Sequence, residues 1–419
     1  MRFQKTVLPS GIRVVTESYA DHRAAVAGAF VGVGTRDEPR GSEGLAHFIE
    51  HMVFKGTQRR SAYDLALALE AVGGELNAFT TREHTCFHTT SLKEDLALAI
   101  DVLGDLVSRA VFRKEDLELE RQVILQEIAM SLEQVEDSIF DLYFKKALGR
   151  NPLGRAILGS NQTIAALTRK DLLSYYQSLY RGRNIVVCVA GNVVHEEVVE
   201  HVQRAFSSAP LRVNLKRRVR PQILPIREVV VRETEQAHIL LGLPSVSFRD
   251  PLRFEAHIVN TLLGGGMTSL LYQDVREKKG LAYSIYSYLS AFTDTGLLLI
   301  YAGTDPKKVP DTIETCLRTL RQLKKRGVKK ATLEMFKVQV RGNILLGADD
   351  LENRMNSLGV NEMIFGSYRS VDQVIEEINR INLESLHTYL ESCLDFDKMG
   401  ILTVGKLPGP ALQEWLGGL

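Results

Sequence analysis

The second half of this chain repeats the pattern of the first. Leu167-Thr-Arg-Lys-Asp-Leu-Leu-Ser-Tyr-Tyr leads to Ile185-Val-Val-Cys-Val-Ala-Gly191. At an offset of 214, Ile381-Asn-Leu-Glu-Ser-Leu-His-Thr-Tyr-Leu leads to Met399-Gly-Ile-Leu-Thr-Val-Gly405. An offset of 216 lays Lys114–Glu127 over Lys330–Asn343. A duplication restricts the fold to two similar units. The length agrees, because 419 residues exceed the roughly 250–300 at which a single core stops growing.

Each half mixes period-2 and period-3.6 patterns. The first gives a hairpin over 6–17, a small-residue strand over 24–33, and a helix capped by Ser61 that stops at Gly73-Gly74. Strands over 75–81 and 84–91 follow, then long helices over 93–110 and 114–132. A helix opened by Thr168, a buried strand over 184–190 and a helix over 195–207 complete it. The second half gives strands over 238–243, 282–290 and 296–303. Its helices run over 254–263, 269–279, 306–326 and 330–346. The expected class is α+β, with two homologous domains, each an antiparallel-type sheet with helices packed on one side. The stretch 209–222 is polar and basic and is bounded by Pro210 and Pro221. It reads as a solvated linker between a domain at 1–208 and a domain at 223–419.

Chemistry concentrates at His47-Phe48-Ile49-Glu50-His51. The run from Leu45 to Phe54 has helical spacing, so two histidines four apart share one face. They can offer nitrogens to one zinc ion at about 2.0–2.1 Å. Glu50 projects beside them and is placed to take a proton from a metal-bound water. The same five residues also suit a solvated helix face with two ordinary histidines. Zinc catalysis needs a third protein ligand and an open position. Glu120 and Glu127 are seven apart on the helix over 114–132 and share a face. Taken alone, they fit two solvated acids better, the usual place of glutamate.

Taken with its surroundings, the chain resembles the inverzincin (pitrilysin-like) metallopeptidases, closest to the small two-domain branch that includes mitochondrial processing peptidase and its bacterial relatives. The resemblance covers nearly the whole chain. It runs through Leu8-Pro-Ser-Gly-Ile-Arg-Val14, Gly44-Leu-Ala-His-Phe-Ile-Glu-His-Met-Val-Phe-Lys-Gly-Thr57 and Gly73-Gly-Glu-Leu-Asn-Ala-Phe-Thr80. It continues through Glu120 to Glu127, Gly265-Gly-Met-Thr-Ser-Leu-Leu-Tyr272 and Val275-Arg-Glu-Lys-Lys-Gly-Leu-Ala-Tyr-Ser284.

The resemblance implies a zinc-dependent endopeptidase with one Zn²⁺ per chain. His47, His51 and Glu127 would be the ligands, since the separation of Glu127 from His51 matches that of the family's third ligand from its second histidine. Glu50 would be the general base, and Glu120 would orient a ligating histidine from behind. Asn77, Ala78 and Phe79 fall on the family's active-site edge strand, to which an extended peptide can add. Arg276 and Tyr283 match a pair that holds substrate or stabilises the tetrahedral intermediate. The two domains would enclose a cleft or chamber for unfolded or short peptides. Gln126 departs from the pattern, because relatives often carry an acid there. Phe336 and Asn343 stand where the repeat would place Glu120 and Glu127, so the second half is expected to hold no metal. Because one chain carries both the metal half and the Arg276–Tyr283 half, the resemblance implies an active homodimer. Two other readings stand beside it: a non-catalytic or heterodimer-dependent core subunit, and a hydrolase of small esters or phosphates. The ligand set also suits manganese or cobalt.

Composition excludes some partners. The 52 basic and 51 acidic residues leave a net charge of +1, which gives no footing for nucleic acid. Cys86, Cys188, Cys316 and Cys393 are scattered through apolar runs and read as core thiols of a reducing compartment. The N-terminus has neither the apolar stretch of a signal peptide nor the Arg- and Ser-rich pattern of a transit peptide. No membrane span is legible, and the expected location is cytoplasmic.

Overall fold

A computed structural model of the chain describes residues 2–207, 215 and 217–419. It contains two sheets. The first is built from β1 (Phe3–Val7), β2 (Arg13–Ser18), β3 (Ala24–Val31), β4 (Glu75–Thr80), β5 (Thr85–Leu92) and β6 (Ile185–Gly191), in the order β1-β2-β6-β3-β5-β4. The second is built from β7 (Arg227–Val231), β8 (Ala237–Ser245), β9 (Ala282–Ala291), β10 (Gly296–Thr304) and β11 (Gly400–Gly405), in the order β7-β11-β8-β10-β9. With β1 set aside, the two orders correspond strand for strand. In each sheet one pair is parallel, β2 with β6 and β7 with β11, and the remaining neighbours are antiparallel. The α+β class with two repeated sheets therefore holds.

A pair of buried cations marks the repeat. Arg121 donates from the helix Lys114–Glu133 to the carbonyl oxygens of Ile164 and Leu167, the latter at 2.8 Å. Lys337, its repeat equivalent, donates from the helix Lys330–Gly347 to those of Asn379 and Ile381 at 2.9 and 3.0 Å. Both satisfy carbonyls at the end of a short helix, where positive charge is also favoured by the helix dipole.

The compact units are not the sequential halves 1–208 and 223–419. One comprises Met1–Met130, Arg155–Arg218 and Leu346–Arg369; the other comprises Ser131–Gly154, Val219–Leu345 and Ser370–Leu419. The reason lies in two helices, Val135–Ala147 and Leu351–Phe365, which start at equivalent positions of the repeat. Each belongs to the unit whose sheet comes from the other half of the sequence. In the first unit most helices pack on one face of the sheet, against Ala25, Ala27, Ala29, Ile185, Val187 and Val189. The alternate residues Val26, Phe30, Val186, Cys188 and Ala190 point to the second face, where Met355 and Leu358 of Leu351–Phe365 cover them. Burial on both faces explains why β6 is an unbroken apolar run. In the second unit Ile139, Tyr143 and Phe144 of Val135–Ala147 cover Leu240, Leu299, Leu402 and Val404 in the same way. The single helical layer expected for each sheet is thus joined by one helix on the opposite face.

The two exchanged helices fit their sheets by opposite means. Tyr143 lies over Gly242 and Gly400, where a Cβ would come within 2.1 and 2.3 Å of its hydroxyl oxygen. The repeat equivalent of Tyr143 is Gly359, whose own added Cβ would meet the Phe30 ring at 2.2 Å. Gly242 and Gly400 are register partners, as are Phe30 and Val186. The large group is on the helix in one unit and on the sheet in the other. Gly242→Ala is expected to destabilise the protein by about 1–3 kcal/mol through overpacking. Denaturant unfolding checks this, and an unchanged midpoint would mean that the Tyr143 helix shifts freely.

Two further expectations need correction. Residues 208–214 and 216, which hold half of the expected linker, lie outside the described residues. Within its described part, Arg218 is not a solvated charge: its guanidinium pairs with Asp37 at 2.7 Å. The helix expected over 269–279 is a π-helical turn at Tyr272–Glu277, a geometry that often marks functional positions. Among the described residues no helix is long and apolar enough to cross a membrane. The four cysteines are free and buried.

Candidate active site

The helix Leu45–Val53 buries Leu45, Ala46, Phe48, Ile49, Met52 and Val53 in the first unit's core. That leaves His47, Glu50 and His51 on its less buried side. Its start is fixed by two features. Gly44 has φ +93°, and a Cβ there would lie 2.7 Å from the carbonyl oxygen of Leu158, so glycine is required. Glu38 accepts hydrogen bonds from the backbone N–H groups of Gly44 and Ala46 at 3.2 and 2.8 Å. It caps the helix from a distance. Burial pushes the Glu38 carboxyl well up, against the pull of those two bonds and of Arg155. The sequence reading misses this cap, because Glu38 lies well before Gly44 in a charged loop.

Glu127 reaches the same place from the helix Lys114–Glu133, which packs through Leu117, Ile124 and Ile128. Its Oε2 lies 3.8 Å from His47 Nε2 and 3.6 Å from His51 Nε2. Among the described residues these three are the group whose potential ligand atoms all lie within 4.8 Å of one another. Donors on a tetrahedral ion at about 2.0–2.2 Å stand roughly 3.3–3.6 Å apart. The spacings are therefore too long for hydrogen bonds and close to what a shared zinc ion needs. The Glu127 side chain is 37% exposed, which leaves an open side.

His51 Nδ1 lies 2.9 Å from Glu120 Oε2. With the carboxylate as acceptor, Nδ1 carries the proton and Nε2 presents its lone pair towards Glu127. Lys55 holds the other oxygen of Glu120 at 2.5 Å. Burial acts to raise the Glu120 carboxyl, but the bonds from His51 and Lys55 outweigh it and hold it low. Burial acts to lower the His51 pKa, yet Glu120, Glu127 and Glu50 together raise it. His47 is pushed down to about 3, first by burial and then by His51, so it is neutral and able to ligate. The carboxylates of Glu50, Glu120 and Glu127 all act on His51, and such a pocket favours a cation.

Glu50 accepts a hydrogen bond from the Thr80 hydroxyl at the end of β4. Burial raises the Glu50 carboxyl and Glu127 adds to this, while Thr80 and His51 pull it down. The sequence reading misses Thr80 and Lys55. Each carries a signal: Thr80 is two positions after Ala78 on the same strand face, and Lys55 is four after His51.

β4 is the outer strand of its sheet beside β5. The Ala78 N–H is bonded to the Asn77 side-chain oxygen at 2.8 Å, so Asn77 occupies a donor that a strand partner could use. Phe79 points the other way, with its ring 6.0 Å from those of His84 and His88. It packs against the cluster formed by Met355 and Leu358. Arg276 and Tyr283 belong to the second unit. The Arg276 guanidinium lies 4.9 Å from the Tyr272 ring and 5.5 Å from the Tyr283 ring. Tyr283 is 76% exposed. In the same unit Phe336 is buried where Glu120 has its repeat equivalent.

The chain as a whole is similar to known peptidases. The model described as "Insulinase (Peptidase family M16)" matches residues 13–161, and that described as "Peptidase M16 inactive domain" matches residues 166–340. The second match includes Phe336, the repeat equivalent of Glu120, and ends before Asn343. An uncharacterized zinc protease of Streptomyces coelicolor is 39% identical over 93% of this chain and 87% of its own length. One from Bacillus subtilis is 35% identical over 90% of this chain and 92% of its own. A crystal structure of a protease from Helicobacter pylori superposes with TM-score 0.88 at 19% identity, covering 96% of this chain and 99% of that one.

Proposed function

Because this chain belongs to the M16 (insulinase) peptidase family, in its small two-domain pitrilysin-like branch, we propose that it is a zinc-dependent endopeptidase acting on peptides or unfolded segments. The observation that carries the reading is the convergence of both histidine Nε2 atoms on one Glu127 oxygen, at 3.8 and 3.6 Å. Glu50 stands on the same helix, next to His51 in the chain.

His47, His51 and Glu127 would hold one zinc ion. Bound there, the ion would polarise a peptide carbonyl and acidify an attacking water. Glu120 keeps His51 in the ligating tautomer. Glu50 takes the proton of the attacking water and returns it to the leaving amine, and its raised carboxyl suits a group that must hold a proton between the two steps. Thr80 fixes the direction of that carboxyl. β4 offers a backbone edge to an extended peptide, which would displace Asn77 from the Ala78 amide. Arg276 and Tyr283 serve the substrate as hydrogen-bond donors, and the active species is a homodimer.

The test is metal content together with cleavage of a mixed peptide library before and after treatment with a chelator. Zinc in the purified protein is expected, with cleavage lost on chelation and restored by zinc. Cleavage that survives complete metal removal would overturn the reading.

A further inference from the structure

We propose that Arg218, which closes the Arg155–Arg218 segment of the first unit, is a positioning residue that locks together the two supports of the site. One support is the loop ahead of the histidine helix. The other is the turn that joins β4 to β5. The proposal rests on the reading of Glu50 as the proton carrier.

The guanidinium grips both supports at once. Its Nε and Nη2 donate to the two oxygens of Asp37 at 3.0 and 2.7 Å. Nη2 also donates to the Glu83 carbonyl at 2.7 Å and to that of Gly32 at 3.4 Å. Nη1 lies 3.4 Å from Glu83 Oε1, which Arg36 holds from the other side at 2.7 Å. Planar two-point recognition of this kind gives direction as well as energy. On either side of Arg218, Arg217 and Arg220 are exposed.

What Arg218 holds is one step from the chemistry on each side. Asp37 precedes Glu38, whose carboxyl caps the histidine helix. Glu83 lies just beyond Thr80 in the turn, and Thr80 directs Glu50. The loop and the turn are already joined by Thr35 N–H to Thr81 O at 3.2 Å and Arg36 N–H to Arg82 O at 2.9 Å. Across that seam Asp37 and Glu83 bring two carboxylates to a largely buried place, and Glu83 is only 8% exposed. Without Arg218 the cluster keeps one fewer cation, and the seam is pushed apart by like charge. The displaced turn carries Thr80 with it. A shift of about 1 Å in a catalytic group can cost on the order of 100-fold in rate.

The experiment compares Arg218→Gln, Arg218→Lys and Arg217→Gln with the wild type. It reads zinc content, thermal unfolding, kcat and KM on a cleaved peptide, and amide hydrogen exchange at Thr35, Arg36 and Thr81. Arg218→Gln is expected to keep zinc and a folded transition, to lose about 10- to 100-fold in kcat with little change in KM, and to exchange faster at those three amides. Arg218→Lys should recover part of the rate, and Arg217→Gln should match the wild type. Added guanidinium should raise kcat of Arg218→Gln but not of Arg217→Gln. Wild-type kcat and exchange in Arg218→Gln would overturn the proposal. So would a loss that follows zinc content and global unfolding and that guanidinium does not relieve. If the wild type itself cleaves no peptide, the peptidase reading fails, and exchange at the three amides alone decides the role of Arg218.

Discussion

Glu50→Gln is expected to lower peptide turnover by about 10²- to 10⁴-fold, the usual contribution of a positioned proton carrier, with zinc retained. Glutamine keeps the shape of the side chain and can still accept from the Thr80 hydroxyl. It cannot take a proton from water. None of the three converging ligand atoms belongs to residue 50, so metal content should stay at the wild-type level. Zinc stoichiometry and kcat measured on the same preparation check both halves of the statement. A variant that turns over at the wild-type rate would remove Glu50 from the mechanism. Loss of zinc along with activity would mean that Glu50 acts by holding the site together.

Arg354→Ala is expected to cost the first unit about 3–5 kcal/mol, because it leaves a buried charge without its partner. Arg354 lies on the exchanged helix Leu351–Phe365. Its Nε and Nη2 donate to Glu17 Oε2 at 2.9 and 2.6 Å, and the Tyr368 hydroxyl donates to the other oxygen at 2.6 Å. Glu17 is 2% exposed and Arg354 5%. Removing the arginine leaves the carboxylate in the core with one neutral donor. Urea unfolding monitored in the first unit reads the loss. Adding Glu17→Gln in the same chain should recover part of it, because the orphaned charge is then gone. A single variant as stable as the wild type would show that water reaches Glu17.

Several parts of this site are legible in the amino-acid order alone. His47, Glu50 and His51 are close in sequence, so the helix period by itself places them together. Glu127 is distant, and spacing leaves it equivalent to any solvated acid. Only the resemblance singles it out. Thr80 and Lys55 follow the strand and helix periods but meet their partners only through the fold, and Glu38 acts through a tertiary contact that no local period encodes. The helix Leu351–Phe365 is concealed for a physical reason. Its buried side includes Arg354 and Glu362 as well as Met355 and Leu358. Polar groups facing inward hide the apolar stripe that marks a helix. Glu362 is met there by Lys5 at 2.8 Å and Arg13 at 3.3 Å, so its burial is compensated. The exchange of helices is equally hidden. Amphipathicity says that a helix will cover a sheet, not which of two similar sheets it will cover.

That ambiguity is acute for a duplicated chain. Two similar helices and two similar sheets allow a straight pairing as well as a crossed one, and nothing in the apolar pattern ranks them. The inverted sizes at Tyr143 and Gly359 supply the ranking. In the straight pairing Tyr143 would meet Phe30, two rings in one space, and Gly359 would face Gly242 and Gly400 across a void. One isomer is overfilled at one end and hollow at the other, and the crossed isomer is neither. A single repeat, before duplication, could have covered its sheet in the crossed manner only by borrowing the helix of a second copy. The present chain carries both copies of that exchange within itself, and the sizes of a few side chains tell each helix which partner to choose.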